Sequence, residues 1–150
     1  MKTINFQGLK IRIDRPKGFV QEGKGEDGGP WKRVYKYDYG FLPKTKGGDG
    51  EGLDVFVGPA GDAREAYWAI QRKGDGTFDE YKAFVGFKNK AEAKKAYGSH
   101  IPMRYFGGMA AMSLQMMKAM LGLEPMEKMA TVLGFLRELE GIALDARGCS

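Results

Sequence analysis

The chain has 150 residues, with 24 lysines and arginines against 19 acids and a single cysteine. That length suits one domain with a real core, one cysteine excludes an internal disulfide framework, and a net charge of +5 is too small to name nucleic acid or an anionic substrate. No apolar run matches a signal-peptide core or a membrane span, so a cytoplasmic setting with no membrane contact is the expectation.

In chain order, "LKIRID" (9–14) alternates and predicts a strand, and the glycine-rich "KGFVQEGKGEDGGP" (17–30) a loop or hairpin. "WKRVYKYDYGF" (31–41) sets Trp31, Arg33, Tyr35, Tyr37 and Tyr39 at period two, which predicts one aromatic strand. "LDVFVG" (53–58) and "AYWAIQR" (66–72) have strand composition, and the Gly-Asp-Gly of "KGDGTFDEYKAFVGF" (73–87) signals a hairpin. The pattern then changes. "NKAEAKKAYG" (89–98) predicts a helix capped by Asn89 and ended by Gly98. "GGMAAMSLQMMKAMLG" (107–122) predicts a second, with Met109, Met112, Met116 and Met120 on one stripe, and "EPMEKMATVLGFLRELEG" (124–141) a third. Strands first and helices last predict an α+β domain over 1–150, a small five-stranded OB-like barrel at about 9–87 with helices at about 89–141 packed on it.

The stretch "KGGDGEGLDVFVG" (46–58) places Asp49, Glu51 and Asp54 within six residues. A turn needs glycine and one Asp, not three acids. A second group, Asp75, Asp79 and Glu80 followed by Lys82, can meet the first if strands 53–58 and 78–86 share a sheet. Two carboxylates about 5 Å apart repel by roughly 3 kcal/mol at an effective dielectric near 20. Such a cluster would stay partly protonated or would hold hard cations, Mg2+ or Mn2+, whose preferred ligands are carboxylate oxygens. Divalent ions side by side neutralise phosphate and acidify water, which is the chemistry of phosphoryl transfer.

"YGF" followed at a set interval by "DGEGLDV" resembles the signature of the soluble family I inorganic pyrophosphatases, Tyr-Gly-Tyr/Phe and then Asp-Gly-Asp-Pro-Leu/Val-Asp-Val. The family's later Asp, acid and Lys fall on Asp75, Glu80 and Lys82, and "IRIDRP" resembles its Ile-Glu-Ile-Pro strand, setting Asp14 where glutamate is usual. The likeness spans about residues 9–87. It implies that Asp49, Asp54 and Glu80 bind metal directly, that Asp75 holds a further ion, and that Asp14 acts peripherally through water. It further implies that Glu51 helps activate the nucleophilic water and that Tyr39 and Lys82 contact phosphate. The chain departs from the family at Glu51 and Glu80 (each Asp there) and at Gly52 (Pro there). The segment between Asp14 and Tyr39 is short, so the family's basic ligands do not align. Lys24, Lys32 and Arg33 are substitutes by location, and Tyr97, followed by Gly98, stands for the late Tyr-Lys pair. Compact divergent members with "Phe-Asp-Glu-His/Tyr-Lys" strands resemble phage and prophage proteins, which would place this one in a host cytoplasm.

Other motifs are weaker. "GFVQEGKG" (18–25) approaches a P-loop, but Gly25 stands where Ser or Thr must hold magnesium. An EF-hand reading of 49–54 fails at Leu53, where an oxygen ligand is needed. His100 and Cys149 lack partners at ligand spacing. Three functions compete. The first is Mg2+-dependent hydrolysis of a phosphoanhydride, most simply pyrophosphate, a small phosphate substrate. The second is a non-catalytic binding or assembly module, with the methionine-rich helices meeting a partner or a second copy. The third is an OB-like nucleic-acid binder, disfavoured because a phosphate-binding surface would not keep uncompensated acids.

Overall fold

A computed structural model describes residues 1–25, 27–43, 52–122, 139 and 141–142. Strands β1 (Lys2–Phe6), β2 (Leu9–Arg15), β5 (Asp38–Leu42), β6 (Leu53–Val57), β7 (Glu65–Arg72), β8 (Phe78–Val85) and β9 (Phe106–Ser113) form one sheet. Its order is β1-β2-β5-β6-β8-β7-β9. Strands β3 (Val20–Lys24) and β4 (Pro30–Val34) pair separately as a hairpin. Helix α1 spans Lys90–His100, and α2 spans Leu114–Met120. Among the described residues the seven strands are joined by six ladders in open order from β1 to β9. The α+β class therefore stands, and the five-stranded closed barrel is corrected to an open seven-stranded sheet with a two-stranded hairpin.

The sheet is mixed. β6 runs parallel to β8, with Asp54 opposite Lys82, and the other ladders are antiparallel. Side chains alternate between faces, so each strand feeds two cores. Leu9, Ile11, Ile13, Leu53, Val55, Trp68, Ile70, Ala83 and Val85 pack on one face with Leu114 and Met117 of α2. Phe56, Tyr67, Phe84 and Phe87 pack on the other with Ala93, Ala96 and Tyr97 of α1. β7 and the end of β8 are buried on both faces, which explains their nearly continuous apolar runs.

Three local expectations are revised. The aromatic run 31–41 is two strands, because the chain leaves β4 after Val34 and enters β5 at Asp38. Residues 107–113 form a strand rather than a helix, since β9 completes the edge beside β7; tertiary pairing overrides the helical spacing of the methionines. Met109 then belongs to the α1-side core and Met112 to the α2-side core, so the methionines do not form one stripe. Helix α1 runs through Gly98 to His100, while its predicted cap holds: Glu92 N–H donates to Asn89 Oδ1 at 2.9 Å. The third predicted helix lies largely outside the described residues, with Leu139, Gly141 and Ile142 helical. Among the described residues no helix is long and apolar enough to cross a membrane.

Candidate active site

The α1-side face carries the polar chemistry. Lys82 projects from β8 with a side chain only 7% exposed. Its Nζ donates to Asp54 Oδ2 at 2.9 Å, to Glu80 Oε1 at 2.7 Å and to Tyr39 Oη at 3.1 Å. Tyr39 Oη in turn donates to Asp54 Oδ2 at 2.8 Å. An unpaired lysine at this depth would cost several kcal/mol. Burial opposes its charge, but Tyr39, Asp54 and Glu80 more than offset that, and its pKa lies above the ordinary lysine value. The Tyr39 hydroxyl is also pushed up, first by burial and then by Asp54, so it stays protonated and donates.

The parallel register makes this cluster. Asp54 is paired with Lys82 across β6 and β8, and Glu80 lies two residues along β8, on the same face. Gly40 matters here too. A Cβ at Gly40 would overlap the Arg12 carbonyl oxygen on β2, so the glycine of "YGF" lets β2 close on β5 beside Tyr39.

That closure contains a bulge. Ile13 pairs with Gly40, but the next pair along the ladder is Arg15 with Tyr39, leaving Asp14 as the extra residue. Asp14 is exposed. Arg15 Nη1 donates to Tyr35 Oη at 2.7 Å, and its guanidinium carbon lies 5.7 and 5.8 Å from the centres of the Tyr35 and Tyr39 rings. Burial works against its charge, the Tyr35 hydrogen bond supports it, and the net effect raises its pKa.

A cavity of about 300 Å3 opens beside these groups, lined by Arg15, Arg33, Tyr39, Lys82, His100 and Tyr105 among others. His100 packs at a tilt against Tyr35 and Phe56, with ring centres 4.7 and 5.2 Å apart. Its Nε2 accepts from Lys36 N–H at 3.3 Å, which assigns the neutral-ring proton to Nδ1, and Nδ1 is buried without a partner among the described residues. Burial, with Arg33 and Lys36 adding to it, lowers its pKa to about 4, so the ring is neutral at pH 7.

The structure thus brings together Tyr39, Asp54, Glu80, Lys82 and Arg33 of the sequence-predicted residues. Asp75 sits in the turn before β8 and is exposed; its Oδ1 accepts from Thr77 N–H and Oγ1 at 2.9 and 2.6 Å, which holds its carboxyl below the usual range. Lys24 lies at the end of the β3–β4 hairpin and does not line the cavity. Tyr97 is fully buried against Phe84 and Phe106, its hydroxyl pushed up to about 12 by burial, and Tyr105 stands at the cavity instead. Asp49 and Glu51 lie outside the described residues. Among those described, no three acids, histidines or cysteines group as a metal site. The donors that are present fit a hard cation. Asp54 and Glu80 are partly exposed, 29% each, and each keeps one oxygen without a hydrogen bond among the described residues.

Sequence reasoning missed Arg15 and Tyr105. A signal for Arg15 did exist: strict alternation from Leu9, Ile11 and Ile13 sends it into an aliphatic core, where a guanidinium cannot stay. That conflict requires a break in register.

Fold and site define an α+β domain whose oxygen donors and cations gather on one face of a mixed sheet. The family model of inorganic pyrophosphatase matches residues 1–122, and the chain belongs to that family. A solved inorganic phosphatase from Anaplasma phagocytophilum is 19% identical, with a TM-score of 0.29 over 61% of this chain. The match spans 60% of that protein's length. No curated protein gives a significant match.

Proposed function

We propose that the chain hydrolyses a phosphoanhydride, most simply inorganic pyrophosphate, with Mg2+ or Mn2+. The observation that carries this reading is the Tyr39–Asp54–Lys82–Glu80 cluster at the edge of a cation-lined cavity, in a chain of the pyrophosphatase family.

Asp54 and Glu80 would hold the metal together with Asp49, and Asp75 would serve a further ion from the turn before β8. Bound magnesium would supply charge neutralisation and an acidified water. Glu51 would take the proton from the attacking water, while the bridging P–O bond breaks and its oxygen leaves with the departing phosphate. Lys82, which keeps Asp54 and Glu80 from repelling each other before substrate arrives, and Tyr39 would turn their donors from those carboxylates to the phosphate oxygens when it binds. Arg33 adds charge from the cavity wall, and Asp14 is peripheral. Lys24 contributes only if the hairpin closes toward the cavity.

Phosphate release from pyrophosphate and from nucleotides, with Mg2+ and with Mn2+, is the test. Wild type should release phosphate, and Asp54→Asn should lose about 10²-fold or more, the scale of a misplaced catalytic constellation. Metal should also raise the melting temperature of wild type, because it binds the folded state, and should raise that of Asp54→Asn much less. No release from any phosphoanhydride by wild type would end the enzyme reading.

A further inference from the structure

The bulge in β2 decides which charge faces the cavity. In an unbroken ladder, Ile13 opposite Gly40 would be followed by Asp14 opposite Tyr39. The extra residue puts Arg15 there instead. Bulges re-aim side chains and concentrate beside active sites. Here the result is a cation in place of an anion, on the face that carries Lys82. Lys82 Nζ lies 5.4 Å from the centre of the same Tyr39 ring that Arg15 covers. We propose that Arg15, together with Arg33, forms a phosphate-binding subsite in this cavity, with Tyr35 as its positioning residue.

Three observations support it. First, Arg15 and Arg33 both line the cavity, and neither forms a salt bridge with a carboxylate among the described residues, whereas Lys82 is engaged by two. Second, the partners of Arg15 are neutral. The Tyr35 hydroxyl accepts one of its N–H groups and itself donates to Gln21 Oε1 at 2.9 Å, so it is fixed from both sides. A guanidinium offers five N–H donors, and that contact uses one, leaving donors for the paired oxygens of a phosphate. Third, the wall is stiff. Tyr35 is only 3% exposed and packs on Phe19, Tyr39 and His100. A charge held in place in this way loses little entropy on binding. The subsite also supplies basic ligands to a chain whose sequence aligns none between Asp14 and Tyr39.

This inference rests on the phosphoanhydride reading for its context but can be tested apart from it. Calorimetric titration with inorganic phosphate should show binding to wild type, with affinity reduced about tenfold or more in Arg15→Gln, the scale of charged hydrogen bonds. Arg15→Lys should recover part of the loss, and Tyr35→Phe should lose a few-fold because Arg15 keeps its charge but loses its anchor. The decisive variant exchanges neighbours: Asp14→Arg with Arg15→Asp leaves composition and net charge unchanged but puts the acid opposite Tyr39. It should abolish phosphate binding. Phosphate binding that persists in the exchange variant or in Arg15→Gln, or is absent from wild type, overturns the subsite. Circular dichroism identifies any variant that fails to fold, and Arg15→Lys and Tyr35→Phe then carry the test. Wild type that turns over pyrophosphate with an Arg15→Gln KM equal to its own would retain the enzyme reading and lose the subsite. Phosphate bound through Arg15 without turnover would do the reverse.

Discussion

The two faces of the sheet are made from the same strands and do different work. On the α2 side, Ile11, Ile13, Val55, Ile70 and Val85 pack with almost no polar atom among them. On the α1 side the packing is aromatic, through Phe56, Phe84, Tyr97 and Tyr39, and it admits Lys82 and His100 as buried polar groups. Aliphatic side chains fill space but cannot hold a charge. Aromatic ones fill space too, and they present ring faces and hydroxyls to cations. Alternation along β6 and β8 lets one strand serve both purposes: Val55 and Ala83 face one way, Asp54 and Lys82 the other.

The largest effect should come from removing the central cation. Lys82→Met leaves Asp54 and Glu80 side by side with nothing between them. Pyrophosphate turnover should fall by about 10²-fold or more. Stability should fall by about 1–3 kcal/mol, below the figure for a fully buried pair because the carboxylates are partly exposed. The opposite face supplies the control. Ile70→Ala should cost about 3 kcal/mol in urea denaturation while leaving KM for pyrophosphate unchanged; a shifted KM would mean the two faces are not separable.

A pH effect should also belong to the aromatic face alone. His100 has a folded pKa of about 4 against an ordinary 6.5. Because the folded state disfavours the charged ring, the unfolded chain binds the proton first, and stability drops as pH falls from about 6.5 toward 4. The loss should be about 3 kcal/mol at the acid end, measured by chemical denaturation across that range. His100→Gln should flatten this part of the curve. The smallest effect should be at the start of α1. Asn89→Ala removes the cap bond to Glu92 and should cost about 1 kcal/mol with turnover unchanged, since the cap touches neither the cluster nor the cavity.

Much of this arrangement was legible in the residues. Period-two alternation marked β2, strand composition marked β6 and β7, the Gly-Asp-Gly turn marked the β7–β8 hairpin, and Asn89 marked the start of α1. Tyr39, Asp54, Glu80 and Lys82 were identifiable because their spacing matched a family signature and because the acids needed a counter-charge. What the residues hid were decisions made between strands. The helical spacing of Met109, Met112 and Met116 is real, yet residues 106–113 complete a sheet edge. Arg15 left only a trace, an alternation that would bury its guanidinium among aliphatic residues, because where a ladder breaks is a property of two strands together and shows once β2 is laid against β5. Tyr97 looked like a ligand by motif position, but helix α1 turns it into the core.

The parallel pairing of β6 with β8 also governs when the site can exist during folding. β7 and β8 are joined by a tight turn and can pair early, but Asp54 and Lys82 meet only after the whole of β7 has been accommodated between them in the chain. Closing that longer loop before any contact rewards it is slow. Tyr39 and Asp54 therefore stay apart from Glu80 and Lys82 while the hairpin and α1 form, and the four come together near the end. Regain of phosphate binding on refolding should lag behind regain of helical signal, making the cluster a marker of completed structure.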